Sequence, residues 1–174
     1  MANILKTEAV VLKKRLLLNQ DLLVVLFSES QGKIVVIAKG ARKITSKRLP
    51  HLETANLINV ILNKRKERLY LQESRLISGF SQLKADEKKV TDLYQFFYVI
   101  ERLLPENQKE EQVYHLVKLF LIEMSKLKET QGLLTDYFNQ LLKILGYIKK
   151  NYPQEQLQEI ISDLIDEKIS SFNI

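Results

Sequence analysis

Near Gly79 the spacing of apolar residues changes from every second position to every third or fourth, which restricts the chain to a β unit followed by a helical one. Ahead of that point lie five runs rich in Val, Ile and Leu, at 7–16, 22–27, 33–38, 55–62 and 69–77, each bounded by polar, Gly- or Pro-containing turns. The last of them alternates as a half-buried edge strand, with 63–68 read as a charged turn before it. Five short strands with a long connection between the third and fourth fit the small Greek-key barrel called the OB-fold. Residues 46–49 leave room in that connection for one helical turn. The boundary falls at residue 80, giving a barrel over 1–80 and a helical domain over 81–174.

In the second part Val90, Leu93, Phe97, Ile100 and Leu104 mark one helix, stopped by Pro105. Val113, Leu116, Val117, Phe120, Leu121, Met124 and Leu127 mark the next. A third carries Leu134, Tyr137, Phe138, Leu141, Leu142 and Leu145, with Gly146 suited to a left-handed cap. Pro153 opens the last, striped by Leu157, Ile160, Ile161, Leu164, Ile165 and Ile169. Such stripes bury against one another as a bundle, so the fold class is α+β, a five-stranded OB-fold barrel followed by an all-α helical bundle. The dense aromatics Tyr94, Phe96, Phe97 and Tyr98 read as packing within the bundle and between domains, with a peptide-accepting apolar groove as the alternative.

Charge divides the chain in the same place. Residues 1–80 hold 15 Lys and Arg against 6 Asp and Glu, whereas 81–174 hold 12 against 15. The cationic half concentrates its charge in GKIVVIAKGARKITSKR at 32–48, where Lys33, Lys39, Arg42, Lys43, Lys47 and Arg48 occur without an intervening acid. Arg65, Lys66 and Arg68 supply a second basic turn. These nine residues are the candidate nucleic-acid contacts, because unshielded cations on a barrel edge attract a polyanion. Engaging roughly five phosphates gives a salt slope near about −3.5 on single strands.

The first 80 residues contain three aromatics: Phe27 and Phe80, both read as packing, and Tyr70, which is not expected to stack a base. Binding through phosphates rather than bases follows. The chain has no cysteine, which removes thiolate chemistry and cysteine-based metal sites and is compatible with a reducing cytosol. His51 and His115 read as surface residues. Without a phosphate loop, a nucleophile elbow or a metal-ligand cluster, no catalytic residue, cofactor or metal is expected, and no membrane span is indicated. An RNA-binding OB protein and a protein-interaction adaptor are the alternative readings.

Several segments resemble the RecO family of bacterial recombination mediators: Lys6-Thr7-Glu8-Ala9-Val10-Val11-Leu12, residues 21–27 with Gly32-Lys33, Ala38-Lys39-Gly40-Ala41-Arg42-Lys43, and Ser46-Lys47-Arg48. Leu141-Leu142-Lys143-Ile144-Leu145-Gly146-Tyr147 is similar to the helix end that precedes that family's zinc-binding insertion, and Glu167-Lys168-Ile169-Ser170-Ser171-Phe172 to its last helix and tail. No cysteine pair follows Gly146, so the chain is read as a short member without the zinc module. The resemblance implies binding of single- and double-stranded DNA, annealing of complementary strands, partnership with RecR and with the C-terminal tail of single-stranded DNA-binding protein, and a cytoplasmic, nucleoid-associated location. It maps Lys39, Arg42 and Lys43 onto the family's basic DNA-contact region, extended by Lys47 and Arg48.

Overall fold

The computed structural model describes residues 3–166, in two compact units. One contains the chain up to Gly79 together with Glu106–Tyr114, and the other contains Phe80–Pro105 and the chain from His115 onward. Ile169 and the tail 167–172 lie outside the described residues.

The first unit is a closed barrel of five strands: β1 (Asn3–Leu16), β2 (Leu22–Ser28), β3 (Gly32–Ala38), β4 (Leu57–Arg65) and β5 (Arg68–Ser78). Their spatial order is β1-β2-β3-β5-β4, with β4 returning to β1, which is the OB-fold expected from the sequence. Closure rests on the length of β1. Its first half pairs with β4 and its second half with β2, and the register shifts between Val11 and Lys13. A bulge there lets one strand bend between two neighbours. The strand starts earlier than the apolar run alone indicates, because Asn3 to Lys6 pair with β4 despite their mixed polarity.

Alternation on β2 and β3 sends Leu22, Val24, Leu26, Ile34, Val36 and Ala38 inward, where Ala9, Ile58, Val60, Leu62 and Leu71 meet them. Ala41 and Leu52, from the long β3–β4 connection, are fully buried in the same core. That connection contains one 3₁₀ turn, Leu49–Leu52, slightly later than the sequence suggests, because Pro50 favours a helical start.

Two expectations are corrected. Strand β5 is not an edge, since it pairs with β4 along its length and with β3 at Val36–Leu69 and Ile37–Tyr70. The charged turn shrinks to Lys66-Glu67, with Lys66 at φ 54°, because Asn63, Lys64 and Arg65 continue the β4 ladder. Pairing partners override the local charge that made this stretch read as loop.

The segment Glu106–Tyr114 fastens onto the barrel. Asn107 N–H donates to the Lys33 carbonyl at 2.8 Å, and Glu106 bridges Lys33 in parallel fashion. The Tyr114 ring meets Phe27 edge-on at 5.7 Å, while its hydroxyl donates to Glu8 Oε1 at 2.8 Å. Burial and that acceptor hold the Tyr114 phenol well above its ordinary range.

The second unit holds a single turn α1 (Ser81–Lys84) and the helices α2 (Glu87–Leu103), α4 (Leu133–Ile144) and α5 (Gln154–Ile165), together with α3 (Glu111–Lys126) from His115 onward, its first turn belonging to the first unit. Asp86 caps α2 by accepting from the Lys88 and Lys89 N–H groups. Phe96 lies at the centre, with its ring centroid 4.3 Å from Phe120, 5.6 Å from Phe138 and 6.0 Å from Tyr137. Tyr94, by contrast, is exposed. Helix α4 ends as expected at Gly146 (φ 80°), where the Tyr147 N–H reaches back to the Leu142 carbonyl and the Gly146 N–H to Lys143. Buried Asn139 then binds both the N–H and the carbonyl of Tyr152, pinning the link to α5.

Gly32 has φ 70°, and a Cβ there would stand 1.8 Å from the Gln108 carbonyl oxygen. Gly32→Ala is therefore expected to destabilise the protein by at least about 2 kcal/mol in urea unfolding, through backbone strain plus displacement of the 106–110 segment. The same variant should speed amide exchange at Asn107.

Candidate nucleic-acid interface

The basic loop leaves the barrel at Ala38 and is held from three directions before it returns as β4. Ala41 anchors it in the core. The Asp21 carboxylate accepts from the Gly40 N–H at 2.6 Å, and the Arg42 N–H donates to the Gln20 carbonyl at 3.1 Å. These bonds tie the β3–β4 loop to the β1–β2 loop.

Two of the candidate cations serve this framework. Arg42 Nη2 donates to the Leu17 carbonyl at 3.1 Å, and its Nε is buried without a partner, so the guanidinium is sunk between the loops. Arg48 donates from Nη2 to the Lys39 carbonyl at 2.7 Å and from Nη1 to the Leu71 carbonyl at 3.2 Å. A guanidinium suits such work because its fixed fork of donors spans carbonyls from different segments. Both residues are half-buried.

Lys39, Lys43 and Lys47 are exposed, and no carboxylate of the described residues forms an ion pair with them. Together with Asn19, Asp21, Thr45, Ser46 and Arg48 they line a shallow basin of about 490 Å³. The stretch 32–48 has no acid of its own, but the fold brings Asp21 into this basin from the neighbouring loop.

The other candidates separate. Lys33 stands at the opposite end of β3 from Lys39, six residues away along an extended strand, or roughly 20 Å. Arg65, Lys66 and Arg68 surround the β4–β5 turn and are exposed. Tyr70 joins this second group to the first: Lys39 Nζ lies 5.2 Å and Arg65 Cζ 5.9 Å from its ring centroid. Lys14 is committed elsewhere, bonded to Glu53 at 2.5 Å. His51 is half-buried and bonds Ser74 Oγ at 3.0 Å, so it is not a free surface histidine.

Sequence reasoning missed the outer surface of the barrel. Arg15, Leu23, Ile37 and Tyr70 pair in one row across β1, β2, β3 and β5, with Lys13, Val25 and Val35 in the row beside it. Leu23, Val25, Val35 and Ile37 are half-buried. A groove of about 840 Å³ runs over part of this surface, bounded by Lys64, Glu67 and Arg68 on one side and Glu106 and Asn107 on another. The signal was the apolar character of both faces of β2, which a one-sided sheet does not require.

The barrel and its preceding residues match a family model described as "Recombination protein O N terminal" over residues 1–80. Among similar proteins, the DNA repair protein RecO of Caldanaerobacter subterraneus subsp. tengcongensis is 31% identical over 145 residues, covering 83% of this chain and 59% of that protein. That of Thermoanaerobacter sp. (strain X514) is 30% identical over 146 residues, with the same two coverages. That of Clostridium novyi is 30% identical over 146 residues, covering 83% of this chain and 57% of the relative. Residues 1–80 are a RecO N-terminal domain, and the similarity to RecO proteins extends over 83% of the chain. The chain spans 59% of the length of the first two of these relatives. Among the described residues no group of three or more His, Asp or Glu residues is placed to hold a metal ion, and no helix is long and apolar enough to cross a membrane.

Arg48→Ala removes two charge-assisted bonds that join β3, β5 and the loop. It is expected to cost about 1–3 kcal/mol of stability and to raise amide exchange through 42–48. Lys47→Ala, a change at an exposed neighbour, should leave thermal unfolding within about 0.5 kcal/mol of the parent.

Proposed function

We propose that this chain is a non-enzymatic DNA-binding protein of repair and recombination, gripping the phosphate backbone of single- and double-stranded DNA in the basin between its first and third loops. The observation that carries this reading is the set of three exposed lysines, Lys39, Lys43 and Lys47, held around one basin by a framework that uses up the neighbouring arginines. Lysine ammoniums act as point charges toward phosphate and carry no base code, so binding is independent of sequence. Arg65, Lys66 and Arg68 extend the path past Tyr70, and Lys33 lies outside it.

The name shared by the relatives, DNA repair protein RecO, supports DNA as the polyanion. Annealing of complementary strands, cooperation with RecR and contact with the C-terminal tail of single-stranded DNA-binding protein belong to the same proposal. Annealing suits a protein that neutralises phosphates and leaves base edges free to pair.

The test is binding of the full chain to a labelled single-stranded oligonucleotide across a salt series. Lys39→Ala/Lys43→Ala/Lys47→Ala should weaken binding at every sequence and reduce the magnitude of the salt slope by about 2, at roughly 0.7 for each phosphate no longer engaged. Asp21→Asn keeps an acceptor for the Gly40 N–H and removes a negative charge from the basin, so it should tighten binding, most of all at low salt. Unchanged affinity in the triple variant would overturn the assignment, and tighter competition by matched RNA than by DNA would move it to RNA.

A further inference from the structure

The two loops that frame the basin also present the most exposed apolar side chains of the barrel. Ile44 is fully exposed at 105%, Leu18 is exposed at 86% and Leu16 at 64%. Single exposed aliphatics are ordinary. Here Leu18 and Ile44 project from loops bonded to each other, through Arg42 to the Gln20 and Leu17 carbonyls and through Gly40 to Asp21. Lys43 precedes Ile44 directly and Lys47 follows three residues later, and Leu18 precedes Asn19, so each exposed aliphatic is next in the chain to a residue that lines the basin.

Resting on the reading of that rim as a phosphate site, we infer that Leu18 and Ile44 are wedges that enter between bases of the bound strand and unstack them. Aliphatic side chains beside phosphate-binding cations do this in proteins that kink or open nucleic acid. Two aromatic rings of the barrel are engaged elsewhere, since Tyr70 is flanked by Lys39 and Arg65 and Phe27 is buried against Tyr114, and the other exposed aliphatics, Ile4, Leu76 and Ile77, lie on strands away from the two basin loops. An anionic lipid surface also attracts aliphatics ringed by lysines. The cations here line a concave basin, however, which fits a strand's phosphates better than a planar layer of headgroups. Unstacked bases with free pairing edges are what a complementary strand needs in order to anneal.

The experiment uses the full chain and a single-stranded oligonucleotide carrying 2-aminopurine, whose emission rises when it leaves the stack. Binding is followed separately by anisotropy of an end label. The parent protein should raise 2-aminopurine emission at saturation. Leu18→Ser/Ile44→Ser should abolish most of that rise while affinity stays within about threefold, because phosphate contacts carry the affinity. A rise that survives in the double variant, or no rise with the parent fully bound, overturns the wedge and leaves the phosphate site standing. Failure of the parent to bind the oligonucleotide overturns both. Co-sedimentation with phosphatidylglycerol vesicles that depends on Leu18 and Ile44, without a 2-aminopurine response, also overturns the wedge and assigns the tips to a lipid surface.

Discussion

A loop that gathers like charges must be held against its own repulsion, and here the hold is a set of hydrogen bonds from cations and amides to fixed acceptors. Arg42 reaches the Leu17 carbonyl, Arg48 reaches those of Lys39 and Leu71, and Asp21 accepts from the Gly40 amide. Buried Ala41 and Leu52 add apolar anchors at either end of the segment. Each bond satisfies a backbone group that a strand or helix would otherwise satisfy, so an irregular loop obtains the order of a regular element. The three lysines inherit that order at their Cα positions and keep freedom in their side chains.

Arginine and lysine thus divide the work in a way that composition conceals. All of 39, 42, 43, 47 and 48 count equally toward positive charge, yet the guanidiniums point into the protein and the ammoniums outward. The planar fork loses little freedom when it bridges carbonyls, whereas an ammonium is strongly hydrated and gains from staying wet. The rim therefore has fewer donors free for a ligand than the sequence implies, although the guanidiniums keep their charge, and Asp21 lowers its net charge. What it gains is defined shape.

Much of the barrel was legible because alternation and turn chemistry act locally: β2, β3 and the Gly32 turn fall where Val, Ile and Gly put them. The α2 and α4 ends at Leu104 and Gly146 were legible for the same reason, with Asp86 an additional local cap. Readings that depended on distant partners went wrong. Asn63 to Arg65 looked like loop until β1 and β5 were seen on either side, and β5 looked like an edge because its parallel partner β3 lies more than 30 residues away in sequence. Asp21 entered the basin by the same route, from a turn that local reading treated as punctuation.

The segment 106–114 shows how a domain drawn on sequence differs from one drawn on contacts. The family match ends at residue 80, and the five-strand ladder is complete by then. Yet beyond its short pairing with β5, the start of β3 meets Glu106 and Asn107, and Phe27 meets Tyr114. Without that cover, the Lys33 carbonyl loses its donor, Phe27 loses its edge-on ring partner and an uncovered strand edge invites pairing with other chains. The clash waiting at Gly32 is the clearest mark of the dependence, because only a residue without a Cβ lets the Gln108 carbonyl come so close. A glycine in the third strand's opening turn is thereby matched to a backbone some 76 positions downstream. The stretch α1–α2, between the end of β5 and residue 106, is the covalent route by which the closed barrel acquires this cover.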